Sequence, residues 1–357
     1  MPAADLPAIP GVLSARQCRE TAESIAAQQY PDGSIPWFRG GHTDPWDHVE
    51  SAMALTVAGM PEQAEAAYTW SANTQRADGS WPMQFRAGTV EHSDTDTNFC
   101  AYIAAGVWHH YLCTGDRRFL DTMWPTVRAA IDFVISMQQG PGGEIYWLSN
   151  ADGVLAEALL TGCSSMFHSI GCALAIADRL GIPQPEWEVA ALRLGHALRE
   201  HPESFTEKDR YSMDWYYPVL CGPLRGEHGA ARIASRWDDF VVGDIGIRCV
   251  SDRPWVTGAE TCELVMALDA LGDTERGHRL LANMQHLREP DGSYWTGLVF
   301  ADGKRWPVER TTWTGAAVIL AADALTRTTP GNGIFRDLLP GSEITTGIAR
   351  DCACSRS

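Results

Sequence analysis

Apolar positions along the chain fall into paired helical blocks separated by breaks marked with Gly and Pro. Val49–Gly59 and Pro61–Gln75 make one pair, and Thr97–Cys113 with Arg117–Gln138 makes the next. Ser165–Leu180 with Glu186–Glu200, and Glu260–Leu271 with Glu275–Leu287, repeat the arrangement; Val219–Gly222 with Gly229–Phe240 is its most degenerate copy. Thr312–Ala324 pairs with Ala15–Gln28 if the two ends of the chain meet, which makes six pairs. The first helix of a pair is apolar nearly all round, as in SAMALTVAG and CELVMALDAL, and must be buried on every side. The second is amphipathic, as in RRFLDTMWPTVRAAIDFVISMQ. Inner helices that see only protein and outer helices that also see water predict an all-α fold. It is an (α/α)6 toroid, six helical hairpins in a double ring, over residues 1–325, with an irregular tail over 326–357.

A loop signature punctuates the pairs. It ends at Trp37, Trp81, Trp147, Trp255 and Trp295, surrounds Trp215, and keeps Asp-Gly-Ser before the aromatic in three copies. A superhelical solenoid is the competing arrangement. The intervals, 40 residues from Trp215 to Trp255 but 68 from Trp147 to Trp215, are too uneven for stacked identical repeats.

Composition then narrows the partners. A formal charge of −17 argues against nucleic acid, which requires a basic footprint. Cys100, Cys113, Cys163, Cys172, Cys249 and Cys262 sit singly, most in apolar stretches, as reduced core residues do; only Cys352 and Cys354 lie close, too few to build a zinc site. Residues 1–16 lack a basic-then-apolar leader, and no apolar run of about 18 residues predicts a membrane span. A reduced, cytoplasmic protein is expected, with no metal or cofactor signalled by HExxH, paired CxxC or a phosphate loop.

The signature loops lead from an outer helix to the next inner one, so they gather over the inner-helix N-termini. They carry Asp44, Asp47 and Glu50; Glu91, Asp94 and Asp96; Asp214 beside Trp215 and Tyr216; Asp252 before Trp255; Glu260 with Glu263; and Glu309 before Arg310. Singly, Asp47, Asp94 and Asp96 read as helix caps, and Asp32, Asp78 and Asp291 as turn residues. Together, interleaved with tryptophans, they predict one site. Glu50 and Glu260 weigh most, because each leads an apolar inner helix where a charge is costly.

Asp94–Gln138 resembles the six-hairpin glycosidases through Tyr111, Thr114-Gly115-Asp116, Phe119-Leu120 and Trp124-Pro125-Thr126-Val127. That resemblance implies the toroid but matches no catalytic motif residue by residue. Gln75…Asp78-Gly79-Ser80-Trp81 and Arg276-Gly277…Trp295 are similar to the repeats of squalene-type cyclases and of actinobacterial proteins labelled prenyltransferase. Asp94-Thr95-Asp96-Thr97 resembles the cyclase acid motif with its last Asp replaced. A pit rich in carboxylates suits sugar hydroxyls better than a carbocation.

The expected function is therefore a carbohydrate-active enzyme, a glycoside hydrolase with paired carboxylates acting on a small-molecule sugar. Glu260 is the expected acid and Asp96 or Glu50 the base, with inverting geometry because the loops oppose one another. Trp37, Trp46, Trp215 and Tyr216 form the sugar platform; Asp47, His48, Asp94, Asp214, Trp255 and Glu309 add contacts; Arg253 and Arg310 suit an acidic group. The alternatives are isoprenoid chemistry with Asp96 as proton donor, a sugar isomerase or epimerase using His48, His92 or His168, and a non-catalytic binding ring.

Overall fold

The computed structural model describes residues 5–337 and 339. The expected pair Cys352 and Cys354 lies outside them. The chain opens with α1 (Ala15–Ala26), capped by Ser14 in a reciprocal box with Gln17, then α2 (Pro45–Val57) and α3 (Pro61–Thr74). A hairpin of β1 (Gln84–Arg86) and β2 (Thr89–His92) and a short β3 (Thr95–Asp96) precede α4 (Thr97–Ala101), α5 (Ile103–Thr114) and α6 (Arg117–Ser136). Strands β4 (Leu148–Asn150) and β5 (Gly153–Leu155) lead to α7 (Leu160–Leu180) and α8 (Pro185–Glu200), followed by α9 (Ser212–Leu220), α10 (Gly226–Ser235) and α11 (Trp237–Phe240). Next come β6 (Val241–Val242), β7 (Gly246–Arg248) and β8 (Trp255–Thr257), with α12 (Gly258–Ala270) and α13 (Thr274–Asn283). Strands β9 (Gly297–Val299) and β10 (Lys304–Arg305) and the helix α14 (Thr312–Thr326) complete the order.

Helix α2 packs on α5 and on α14, α5 on α7, α7 on α9, α9 on α12, and α12 on α14, so the inner contacts close on themselves. Each inner helix also carries its partner outside: α3 on α2, α6 on α5, α8 on α7, α10 on α9, α13 on α12 and α1 on α14. Burial follows the hydrophobic pattern. All thirteen residues of α2 are buried, whereas α1 buries only Cys18, Thr21, Ala22 and Ile25. Helix α7 is long and apolar enough to cross a membrane, yet it is packed within the ring.

The loop signature proves to be a fastener between successive outer helices. Gln29 Nε2 donates to the carbonyls of Gly33 and, on α3, of Gln63; Gln75 does the same to Gly79 and, on α6, to Thr126; Gln138 does so to Gly143 and, on α8, to Ala190. In Asp32-Gly33-Ser34, Asp78-Gly79-Ser80 and Asp291-Gly292-Ser293 the carboxylate accepts from the serine N–H and Oγ–H, as expected of turn residues. Gly79 lies so close to α6 that a Cβ would sit 2.1 Å from the Ala129 carbonyl oxygen. The last copy closes the circle: Gly292 abuts Glu20 of α1, which also pairs with Arg288 at 2.6 Å.

Two features depart from the sequence reading. Helix α9 starts at Ser212, seven residues before the expected Val219, because the aromatic run Trp215-Tyr216-Tyr217 is helical core and not loop. The loops also carry small antiparallel sheets, β10-β9-β8-β7-β6 and β3-β4-β5, beside the β1-β2 hairpin. All of these precede inner-helix N-termini and crown one mouth of the ring. Across the opposite end, the first part of the expected tail docks: the His168 ring stacks on Phe335 and its Nε2 meets the Ile334 carbonyl at 2.8 Å, while Arg336 pairs with buried Asp269 at 2.9 Å.

If the fasteners hold the double ring, Gly79→Ala should cost about 2–4 kcal/mol of unfolding free energy, from overlap as well as positive φ. Gly115→Ala also has positive φ, but no atom lies near its added Cβ, so it should cost about 1 kcal/mol. Urea denaturation of the two variants makes the comparison.

Candidate active site

The carboxylates at the mouth arise from how each inner helix begins. Asp44 caps α2 by accepting from the N–H groups of Trp46 at 3.0 Å and Asp47 at 2.9 Å, and Pro45 occupies the first turn, where its missing donor costs nothing. Asp96 caps α4 in the same way through Asn98 and Phe99. Glu260 stands in the first turn of α12. One to two helical turns deeper the acids continue. Glu50 lies six residues, roughly 9 Å, along α2 from its cap, and Glu263 lies three residues, roughly 4.5 Å, beyond Glu260.

At that depth the acids are held by phenols. Tyr216 donates to Glu263 Oε2, Tyr217 donates to Oε1 at 2.6 Å, and Tyr102 donates to Glu50 Oε2 at 3.2 Å. Burial dominates their ionisation. It raises the Glu50 carboxyl to about 8 and Asp96 to about 7, and pushes Glu263 and Asp47 well above the usual carboxylate range. After burial, Glu50 raises Glu263 further, and Asp44 raises Asp47. Glu50 on α2 and Glu263 on α12 therefore influence each other across the pit, and at neutral pH the deep acids are largely protonated.

Above them runs an aromatic wall. Trp37 packs on Trp313 at 5.7 Å between ring centroids, Trp313 meets Trp46 edge-on at 5.6 Å, and Trp46 lies 5.0 Å from Tyr102. Glu309 fixes Trp37 by accepting its indole N–H at 2.8 Å. Three polar atoms of this wall and floor, Trp46 Nε1, Trp313 Nε1 and Glu50 Oε1, are buried without a hydrogen-bond partner among the described residues. The Trp313 nitrogen lies beside Glu50 without reaching hydrogen-bond geometry. Orphaned buried donors and acceptors are uncommon in folded proteins, and these three lie together on the wall and floor of the pit.

Of the expected site residues, Glu50, Asp96, Glu260, Asp47, Trp37, Trp46, Tyr216 and Glu309 come together at the pit, with Asp94 at its mouth two residues before Asp96. Others do not. His48 faces α3: one ring nitrogen accepts from Ile35 N–H, the other meets the Ala67 carbonyl, and the ring packs on Trp70. Trp215 lies flat on Phe240 and donates to the Arg232 carbonyl, so it is core and not platform. Asp214 accepts from Thr161 and borders a groove with Arg232 and Arg236 outside the pit. Arg310 pairs with Asp291 at 2.8 Å and lies over Trp295, bracing the closing turn; Arg253 is exposed on the turn between β7 and β8, and Trp255 stands in the crown.

The histidines of the isomerase alternative are placed elsewhere. His48 and His168 are buried in packing, with pKa values lowered by burial to about 4, and His92 is exposed on β2. Among the described residues, no three His, Cys, Asp or Glu side chains are arranged to hold a metal ion. Tyr102, Tyr217 and the role of Glu263 escape the sequence reading. The spacing of Glu260 and Glu263, three apart on one helix face, is the one signal that pointed there.

The deep acids also fix a pH dependence. Glu50 is protonated in the fold up to about pH 8 but loses its proton near 4.5 when exposed. Its stabilising contribution is thus complete at acid pH and is lost as pH rises through about 8. Glu50→Gln should reduce the decline of the urea midpoint between pH 5 and pH 9 relative to the parent protein, although Asp96, Asp47 and Glu263 leave part of the slope in place.

No family model matches the chain. It is 67% identical over 354 residues to the MMP endo-(1,4)-3-O-methyl-alpha-D-mannosidase of Mycolicibacterium hassiacum, spanning 99% of this chain and 97% of that protein. In fold it is similar to a glycosidase solved in complex with glucose, with a TM-score of 0.69 at 16% identity over 87% of this chain and 96% of the other. A D-mannose isomerase superposes with a TM-score of 0.63 at 10% identity, over 90% of this chain and 100% of the other. The last two likenesses speak for the fold alone. Identity of that extent with the mycobacterial enzyme carries the chemistry as well: the chain belongs to the family of that endo-mannosidase and is a glycoside hydrolase.

Proposed function

We propose that this glycoside hydrolase cleaves internal α-(1→4) bonds of a 3-O-methylated mannose polymer, in the pit of an (α/α)6 toroid spanning residues 1–325. The cyclic packing of inner helices, each with an outer partner, supports the six-hairpin count. The 67% identity to an enzyme named for that substrate supports the polymer. The observation that carries the sugar reading is the trio of orphaned atoms, Trp46 Nε1, Trp313 Nε1 and Glu50 Oε1, on an aromatic wall. Indole faces stack on the apolar face of a pyranose, and two N–H donors beside a carboxyl meet its hydroxyls.

Helix α4 leads directly into α5, which lies three steps from α12 in the cycle of inner contacts, so Asp96 and Glu260 belong to opposed walls, both near the mouth. We assign the proton donor to Asp96, whose pKa near 7 keeps it partly protonated at neutral pH, and the base to Glu260. This exchanges the roles that the sequence suggested. Glu260 takes a proton from water, the water oxygen bonds to the anomeric carbon, and that carbon's bond to the bridging oxygen breaks as Asp96 protonates the leaving oxygen. Acids on facing walls leave room for the water, as inversion requires at separations of roughly 6.5–9.5 Å. Asp47 is the second candidate donor, because burial, and after it the neighbouring Asp44, raises its carboxyl well above the usual carboxylate range. The deep Glu50 and Glu263 act as neutral hydroxyl partners. An isoprenoid route through Asp96 finds less support in so polar a pit.

Glu260→Gln should lower kcat for methylated mannan oligomers by about 10²–10⁴ with little change in binding. The parent rate should fall as pH rises above about 7, and Asp96→Asn should remove that limb together with most of the rate. If Asp47→Asn removes it instead, the donor is Asp47.

A further inference from the structure

Large apolar side chains left exposed are unevenly placed. Val90, Val154, Leu155, Tyr211, Trp306 and Val308 all stand on the hairpins and loops that crown the mouth; among the described residues only Ile182 and Val189 of this kind lie elsewhere. Their hairpins come from separate loops around the ring. The region of Trp306 is the most built. Trp306 is 53% exposed and Val308 82% exposed, yet the Trp306 backbone is pinned: its N–H donates to Gly297, and its carbonyl accepts from Trp255 Nε1 at 2.7 Å. The two rings meet edge to face, 4.8 Å apart at 82°. A large aromatic ring held rigidly in water is a ready platform, since little side-chain freedom remains to be lost on contact.

This platform is continuous with the pit. Trp255 opens β8, which runs directly into α12 and reaches Glu260 five residues later. On the other side, Val308 adjoins Glu309, which holds the Trp37 indole that packs on Trp313. The platform thus adjoins two segments, β8 into α12 and Val308 into Glu309, that lead from the crown to the aromatic wall.

We infer that Trp306 and Val308 form a distal subsite for sugar units beyond the cleaved bond, one that takes O-methylated pyranoses through their methyl groups and apolar faces. The inference rests on the methylated-polymer reading above. A chain cut internally must extend from the pit on both sides, and the crown is the surface over which it lies. Methylation replaces a hydroxyl that wants water with a group that gains from leaving it. The exposed indole face of Trp306 and the methyls of Val308 complement that group, whereas the polar pit handles the free hydroxyls.

The test compares a short 3-O-methylated α-(1→4)-mannan oligomer, just long enough to be cut, with a long one and with its unmethylated counterpart. Trp306→Ala and Val308→Ser should each raise KM for the long methylated oligomer by about three- to tenfold. Both should leave kcat and KM for the short oligomer unchanged, and Trp306→Phe should restore most of the loss. Thermal unfolding of Val308→Ser and Trp306→Phe should match the parent, and Trp306→Ala should fall by no more than a few degrees from loss of the Trp255 contact. Unchanged KM for the long oligomer overturns the proposal, and so does an equal loss on short and long oligomers. An unmethylated long chain that responds identically overturns its methyl-recognition part. Loss of binding to anionic lipid vesicles with intact sugar kinetics reassigns the patch and likewise overturns it. Failure of the parent enzyme to cut any methylated oligomer counts instead against the proposed substrate.

Discussion

The inner helices, such as α2 and α12, are buried on nearly every side and so depend on their two neighbours and their outer partner. Ring closure is the condition on which the rest depends: α14 must find α2, and the ends of the chain must be brought together. The contact of Gly292 with α1 and the Arg288–Glu20 pair accomplish this at the surface, where α1 is otherwise a modest amphipathic helix. Because the Gln and Gly fasteners bind backbone carbonyls, they specify the spacing of outer helices without prescribing side chains, which leaves the mouth-facing loops free to vary.

Closure also creates the chemistry. Convergent helix N-termini concentrate partial positive charge where the caps Asp44 and Asp96 sit, and a turn lower the same geometry crowds Glu50 and Glu263 into a place with little water. At Asp96 the N–H dipoles favour ionisation, but burial outweighs them and raises the carboxyl to about 7. The lower acids meet tyrosine hydroxyls and each other, and are held neutral. Burial thus grades the acids along one set of helices, which composition does not reveal.

Much of this was legible in the sequence, for identifiable reasons. The all-round apolar character of SAMALTVAG and the amphipathic character of its partner follow from a 3.6-residue period, which a linear reading resolves well. Glu50 and Glu260 stood out because a charge at the head of such a helix is costly, and Asp96 read singly as a cap, as its bonds to Asn98 and Phe99 show. What was not legible is direction. His48, one residue from Asp47 and two from Glu50, points to α3, since successive positions on a helix are about 100° apart. Trp215 and Tyr216 differ in the same way, one turned to Phe240 and the other to Glu263. The start of α9 was misplaced because its aromatic run resembles the loop signature. The sheets were missed because strands of two or three residues leave no alternation to read.

The docking of residues 327–337 across the far ends of the inner helices has a topological meaning. His168, Asp269 and Asp323 hold that segment from three different helices, so among the described residues the far end of the pit is closed and the crown is its mouth. Nothing can be threaded through such a body. Whatever binds at the acids must enter and leave by the same opening, so release retraces the path of entry.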